Sequence, residues 1–192
     1  MTTKTPSSRS ILYLAGFTAI LLLIPFTAMQ FTEEVQWTAS DFVIAGSMLF
    51  CAGLAFLLLK EKQQNTLYRI ASATAVGSIL FLVWANLAVG IIGSEDNVIN
   101  LFYFGIIAVG LAGAALSRMR PAGMALTLFA LAFTQLLITV SALTMGMHHL
   151  PGSSISEILG VNGFFITLFA LSGILFRLAE NAGKDIPVPT NQ

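Results

Sequence analysis

Six apolar stretches, each long enough to cross a lipid bilayer as a helix, make up most of this chain. A helix of about 20 residues spans the roughly 30 Å hydrocarbon layer. The stretches do not alternate polar and apolar residues as barrel strands do. They predict an all-α integral membrane protein, a bundle of six transmembrane helices. The predicted spans are 11–31, 42–59, 70–93, 98–117, 122–146 and 159–178.

The composition supports a single membrane domain covering 1–192. Of the 192 residues, 56% are hydrophobic and 9% are charged, against roughly 25% charged in a soluble domain. The short connections predict antiparallel neighbours, and the six spans can be grouped as three helical hairpins. The segment 182–192 contains Pro187 and Pro189 without apolar periodicity, so we expect it to be a flexible tail.

The basic residues fall on one side of the predicted membrane. With six spans, every Lys and Arg lies on the side of the N-terminus, at Lys4, Arg9, Lys60, Lys62, Arg69, Arg118, Arg120, Arg177 and Lys184. The three opposite connections contain no Lys or Arg, and they hold both histidines and six acidic residues: Glu33, Glu34, Asp41, Glu95, Asp96 and Glu157. The positive-inside rule therefore predicts a multi-pass inner-membrane (plasma-membrane) protein with both termini in the cytoplasm.

The first span also has the basic start and apolar run of a signal peptide. The sequence Pro25-Phe26-Thr27-Ala28-Met29 after the run is a poor cleavage site. We therefore expect an uncleaved helix. Cleavage is the alternative, and it would leave five spans.

Small residues are concentrated in the third and fourth spans. Ala73 and Gly77, like Gly110 and Ala114, are four residues apart and share a helix face. Small faces allow helix backbones to approach closely in lipid. This pattern predicts that these two helices lie at the bundle centre or in a subunit interface, in a homo-oligomer or with a membrane-protein partner.

Polar residues within the spans are the candidates for a cavity or ligand site. They are Asn86, Trp84, Gln135, Thr139 and Ser141. An amide in hydrocarbon must find hydrogen-bond partners. One interpretation is a set of interhelical hydrogen bonds. The other is a polar cavity open to the outside.

Three further candidates stand at the outer starts of the inward-running helices: Asp41, Asn100 and Asn162. Asp and Asn are favoured N-caps, which satisfy otherwise unpaired backbone donors. The functional alternative is a ring of polar groups around an outer vestibule, where three helix N-termini would attract an anion.

A metal site is a weaker prediction. Carboxylate and imidazole groups are ligands for zinc and similar ions, and His148, His149, Glu95 and Asp96 all lie on the outer side. Their spacing matches no known ligand motif. The alternative is that outer loops are acidic because basic residues are excluded from them.

The sequence contains no motif that assigns an enzymatic activity, and nothing in it is suited to binding nucleic acid. We find no Walker A or Rossmann loop and no zincin motif. We find no ionisable residue well inside a span, which pumps and many carriers require. The leading hypothesis is a non-enzymatic subunit or scaffold that packs with itself, a membrane partner or a lipophilic ligand. The alternatives are a transporter or channel for a small neutral or anionic solute, and an outer-facing metal-dependent enzyme or metal-binding protein.

Overall fold

The computed structural model describes residues 6–62, 65–94 and 96–184, and it confirms an all-helical protein with six candidate membrane spans. A short 3-10 turn, Val98–Phe102, leads into the fourth helix. The helices are α1 (Ser8–Phe31), α2 (Ala39–Lys60), α3 (Thr66–Ala88), α4 (Tyr103–Leu116), α5 (Pro121–Thr144) and α6 (Ile155–Lys184). The chain divides into two compact units, residues 1–62 and 63–192.

The first unit contains the α1–α2 hairpin. The two helices pack against each other, and Gly53 of α2 leaves room for the side chain of Leu14. Thr38 caps α2 in a reciprocal capping box with Asp41, an arrangement that satisfies two backbone donors. Among the described residues of α1, only Thr18 is buried. Large apolar side chains of α1, among them Leu12, Tyr13 and Ile24, are exposed, as expected of a membrane-spanning helix.

The second unit is a ring of four helices. Helix α6 packs against both α3 and α5, and α4 packs against α5. The contact between α3 and α4 is less extensive. The order around the ring is therefore α3, α6, α5, α4. The α1–α2 and α5–α6 pairs are packed hairpins, whereas α3 packs chiefly on a helix far away in sequence.

Helix α5 is the most buried of the six helices. Its buried positions recur every three or four residues, and they include Leu128, Leu131, Gln135 and Ile138. Helix α4 contributes a smaller buried share than α5. The sequence predicted that the third and fourth helices lie at the bundle centre or in a subunit interface, and for α4 the subunit interface stays a prediction. The small residue Gly110 does point inward, toward Ile79 and Leu131.

Two helix ends differ from the predicted boundaries for local reasons. Helix α3 ends at Ala88 rather than near residue 93, because Gly90 and Gly93 adopt positive φ angles of 71° and 69°, which a right-handed helix does not permit. Helix α6 begins earlier than residue 159. Ser154, the residue before the helix, and Glu157 in its first turn exchange backbone–side-chain hydrogen bonds. It extends to Lys184, and the rest of the predicted tail lies outside the described residues.

Candidate functional site

The centre of the four-helix unit contains a hydrogen-bonded group of polar side chains built around Asn162 on α6. Its Oδ1 atom accepts hydrogen bonds from the hydroxyl of Tyr103 on α4 and from Nε2 of Gln135 on α5, both at 2.8 Å. Its Nδ2 atom donates to the carbonyl of Ile158, one turn earlier, at 2.8 Å. One amide side chain therefore connects three helices.

Gln135 is the deepest polar side chain of this group. By helical rise it lies about 14 Å from the end of α5 at Thr144. Both Gln135 and Asn162 have 0% exposed surface, so no water-sized sphere contacts either side chain. Oε1 of Gln135 has no hydrogen-bond partner among the described residues. An unpaired buried acceptor is unfavourable by about 1–3 kcal/mol.

A second pair of amides lies at the end of α3. Nδ2 of Asn86 donates to the backbone carbonyl of Asn100 at 3.1 Å, and Oδ1 of Asn86 also has no partner within the described part of the chain. Asn86 lies in the last turn of α3, closer to the helix end than the predicted depth of about 10 Å. It is nevertheless buried, because the loop after α3 folds over it.

Asn100 holds this loop in place through its side chain. Its Oδ1 atom accepts from the backbone N–H groups of Ile91 and Ile92, and its Nδ2 atom donates to the carbonyls of Ile92 and Ser94. The same loop is tied to the α5–α6 connection, because the backbone N–H of Gly93 donates to Oγ of Ser153 at 2.8 Å. The side chain of Asn100 therefore holds the backbone of the loop at residues 91–94 through four hydrogen bonds.

We call the buried residues Asn86, Asn100, Tyr103, Gln135, Thr139 and Asn162 the polar belt. The belt consists of two hydrogen-bonded groups, one around Asn100 and one around Asn162, and five of its six residues were sequence candidates. Thr139 bonds the backbone carbonyl of Gln135 within its own helix. The other two intramembrane candidates lie elsewhere: Trp84 is 39% exposed and Ser141 is exposed. The sequence analysis did not identify Tyr103 as a candidate, although a buried Tyr hydroxyl usually has a hydrogen-bond partner.

The N-cap interpretation of Asp41, Asn100 and Asn162 is wrong. The cap residues are Thr38 for α2 and Asn97 for the 3-10 turn. At the start of α6, the hydroxyl of Ser154 accepts from the backbone N–H of Glu157. Asp41 is the reciprocal partner within its capping box, and it accepts from the backbone N–H of Thr38 at 2.7 Å. Asn100 and Asn162 follow the cap positions in the chain, and their buried side chains form the hydrogen bonds described above.

The candidate metal ligands do not form a complete coordination site in the described part of the chain. The imidazole rings of His148 and His149 lie 4.0 Å apart, centroid to centroid. Asp96 is exposed, and Glu95 lies outside the described residues. Across 6–62, 65–94 and 96–184, no group of three His, Cys, Asp or Glu side chains is arranged to hold an ion. The metal hypothesis stays a prediction.

The arrangement supplies neutral hydrogen-bonding groups rather than acid–base chemistry. Amide and hydroxyl groups fix helices relative to each other, and each interhelical bond in a membrane is worth about 0.6–2 kcal/mol. The chain has no significant match among protein-family models, curated proteins or solved structures.

Proposed function

We propose that this six-span membrane protein is a non-catalytic subunit that assembles through α4 with a transmembrane helix of a second copy or of a partner. The observation that carries this proposal is a stripe of small residues on the exposed side of α4. The stripe consists of Gly105, Ala108, Ala112 and Ala115, all of them exposed.

The spacing of these residues places them on one helix face. They follow one another at intervals of three, four and three residues, which keeps side chains aligned along a helix. An added side chain at Gly105 would meet no atom within 4 Å. The exposed large side chains of Leu111 and Leu116 stand beside the stripe. The face is therefore a shallow groove along α4.

Such a groove favours contact with another helix over contact with lipid. Helices in a bilayer gain no hydrophobic energy from leaving lipid, so association depends on close packing. Small residues allow that close approach. The opposite face of α4 already uses small residues in this way, since Gly113 lies directly against Thr127 of α5.

The test is the substitution Gly105→Leu, with Gly160→Leu as the matched control. Gly160 lies on α6, and an added side chain there would also meet nothing within 4 Å. Oligomer mass is measured by native mass spectrometry on protein extracted gently from its own membrane. We expect Gly105→Leu to release the assembled form to a folded monomer and Gly160→Leu to leave assembly intact.

Three outcomes decide the proposal. A partner protein or second copy at fixed stoichiometry, lost only in the Gly105→Leu variant, supports it. A lipophilic molecule lost in the same way would identify the groove as a ligand site instead. A monomer with nothing bound in the unsubstituted protein would exclude assembly through α4.

Transport of a small neutral or anionic solute is the second candidate. The observation in its favour is that two buried acceptors, Oε1 of Gln135 and Oδ1 of Asn86, have no hydrogen-bond partner among the described residues. A state that opened this region would satisfy both with water or solute. A Gln135→Met variant that folds normally but no longer conducts solute into liposomes would favour this function. Unchanged flux would remove Gln135 from the pathway.

We also propose, from the distribution of basic residues, that the protein lies in the inner membrane with both termini in the cytoplasm. The support is the sequence distribution: with six spans, every Lys and Arg falls in the N-terminal segment, in a connection on the same side, or near the end of the chain. Basic residues are retained on the cytoplasmic side during insertion.

A further inference from the structure

Two buried aromatic residues and the half-buried Met119 join the helix ends at one end of the four-helix unit. The hydroxyl of Tyr68 on α3 donates to the backbone carbonyl of Met119, in the α4–α5 turn, at 2.6 Å. The ring of Tyr68 packs edge-on against Phe176 of α6, with ring centroids 5.1 Å apart. Tyr68 and Phe176 each have 0% exposed surface. We call Tyr68, Met119 and Phe176 the anchor.

Each residue of the anchor has an arginine next to it in the sequence. Arg69 follows Tyr68, Arg118 and Arg120 flank Met119, and Arg177 follows Phe176. Packed helices lie about 8–10 Å apart, so the anchor gathers four arginines from three chain segments at one end of the unit. The positive-inside rule predicts basic loops, but it does not predict that they converge on one buried contact.

These four arginines are exposed and carry a surplus of positive charge. All four are exposed at the surface. Within residues 65–94 and 96–184, Glu180 is the one acidic residue at this end, and its contact with Arg177 is a 3.4 Å salt bridge. A single carboxylate cannot neutralise four guanidinium groups. The surface is therefore suited to an anion.

The turn that carries two of the arginines is held rigidly. Arg118 and Met119 have φ angles of 51° and 58°, a left-handed conformation that residues with side chains rarely adopt. The strain is sustained by the hydroxyl of Tyr68 and by Oγ of Ser117, which accepts from the backbone N–H of Met119 at 3.2 Å. Arg118 and Arg120 are thus presented from a fixed turn.

Exposed aliphatic side chains lie beside the arginines, and two of them, Ile70 and Leu116, are on the membrane side. Ile70 follows Arg69, Leu178 follows Arg177, and Leu116 lies just before the turn; Leu116 is 86% exposed. A free phosphate would use only the arginines. A phospholipid would use both, its headgroup on the guanidinium groups and its acyl chains along the aliphatic side chains.

We propose that the four arginines around the anchor bind the phosphodiester headgroup of an anionic glycerophospholipid. Arginine forms bidentate, charge-assisted hydrogen bonds to phosphate oxygens. Arginines from α3, from the α4–α5 turn and from α6 would contact the same headgroup. The bound lipid would then bridge three chain segments at this end. This inference does not depend on assembly through α4.

The test compares lipid binding to the full-length protein in detergent, measured by native mass spectrometry. The probes are phosphatidylglycerol, phosphatidylcholine and inorganic phosphate. One double variant is Arg118→Gln with Arg120→Gln. A second, Arg69→Gln with Arg177→Gln, leaves the strained turn untouched in case the first fails to fold. The control, Arg9→Gln with Lys60→Gln, removes the same charge from the α1–α2 hairpin.

We expect each arginine pair to weaken phosphatidylglycerol binding at least tenfold, with phosphatidylcholine binding unchanged and the control less than twofold affected. An equal loss in the control would show general electrostatic attraction and overturn the proposal. Equal binding of the two lipids would also overturn it. Inorganic phosphate that competes fully and depends on the same arginines would identify a free-phosphate site instead.

Discussion

Asn162 shows how one side chain can fix several helices inside a bilayer. Its Oδ1 atom accepts two hydrogen bonds, from Tyr103 and Gln135, and its amide nitrogen is satisfied within α6. Lipid offers no water to replace a missing partner. The two donors therefore depend on this one acceptor, whereas Gln135 already has an unpaired oxygen.

We predict that substitution of Asn162 lowers the free energy of unfolding, whereas substitution of Gln135 changes it little. Asn162→Leu leaves the Tyr103 hydroxyl and the Gln135 amide without their acceptor, so it should lower the unfolding free energy by about 1–3 kcal/mol. Gln135→Met removes a donor and the unpaired acceptor together in a side chain of similar volume. It should stay within about 1 kcal/mol of the unsubstituted protein.

Thermal unfolding in detergent measures both effects. A Gln135→Met variant as unstable as Asn162→Leu would mean that Oε1 of Gln135 has a partner in the folded protein. That result would contradict the hydrogen-bonding pattern described for the polar belt.

At the scale of the elements, α4 has two faces built from small residues with different surroundings. Gly113 lies so close to Thr127 of α5 that an added methyl group would overlap the threonine side chain. Gly105 faces open space. The sequence indicates the small residues but not their directions, because which face meets α5 depends on the order of helices around the ring.

We predict that Gly113→Ala is destabilising and Gly105→Ala is not. Overpacking a helix contact is unfavourable by about 1–3 kcal/mol, and Thr127 has little freedom because its hydroxyl bonds the carbonyl of Gly123. Gly105→Ala should change the unfolding free energy by less than about 1 kcal/mol, in the stabilising direction, because Ala favours the helix.

Both variants are compared by thermal unfolding in the same detergent. Equal stability of the two would show that α4 and α5 do not pack at Gly113 as closely as described.

At the scale of the whole molecule, the sequence predicts where the membrane spans lie and which polar residues they contain. It does not predict which helices pack against each other. Hydrophobic length alone predicts six helices. It does not indicate that α3 packs on α6, since that contact joins residues such as Ala71 and Ser172, which are 101 positions apart. The belt candidates Asn86, Gln135 and Asn162 were found from polarity, but their pairing depends on this ring order.

The side of each loop is a prediction for the whole molecule. An export-dependent alkaline phosphatase fused after Arg120 should be inactive, and the same reporter fused after Gly152 should be active. The reason is that the α4–α5 connection is basic, whereas the α5–α6 connection contains no Lys or Arg. The reverse pattern of activity would place both termini outside.

The contact between α3 and α6 also determines how late in synthesis α3 can pack, because α6 is made last of the six helices. Ser172 donates to the carbonyl of Ala71 across 101 residues, and Asn65 donates to Ala179 across 114. At about 5–20 residues per second, α3 waits roughly 5–20 s in the bilayer before α6 emerges. During that interval two hydroxyl groups of α3 remain hydrogen-bonded within the helix. The hydroxyl of Ser72 donates to the carbonyl of Tyr68, and that of Ser78 donates to the carbonyl of Thr74. A ribosome that stalls after α5 would therefore leave a nascent chain in which α3 is inserted in the bilayer without its packing partner α6. We expect membrane quality-control proteases to recognise such a chain.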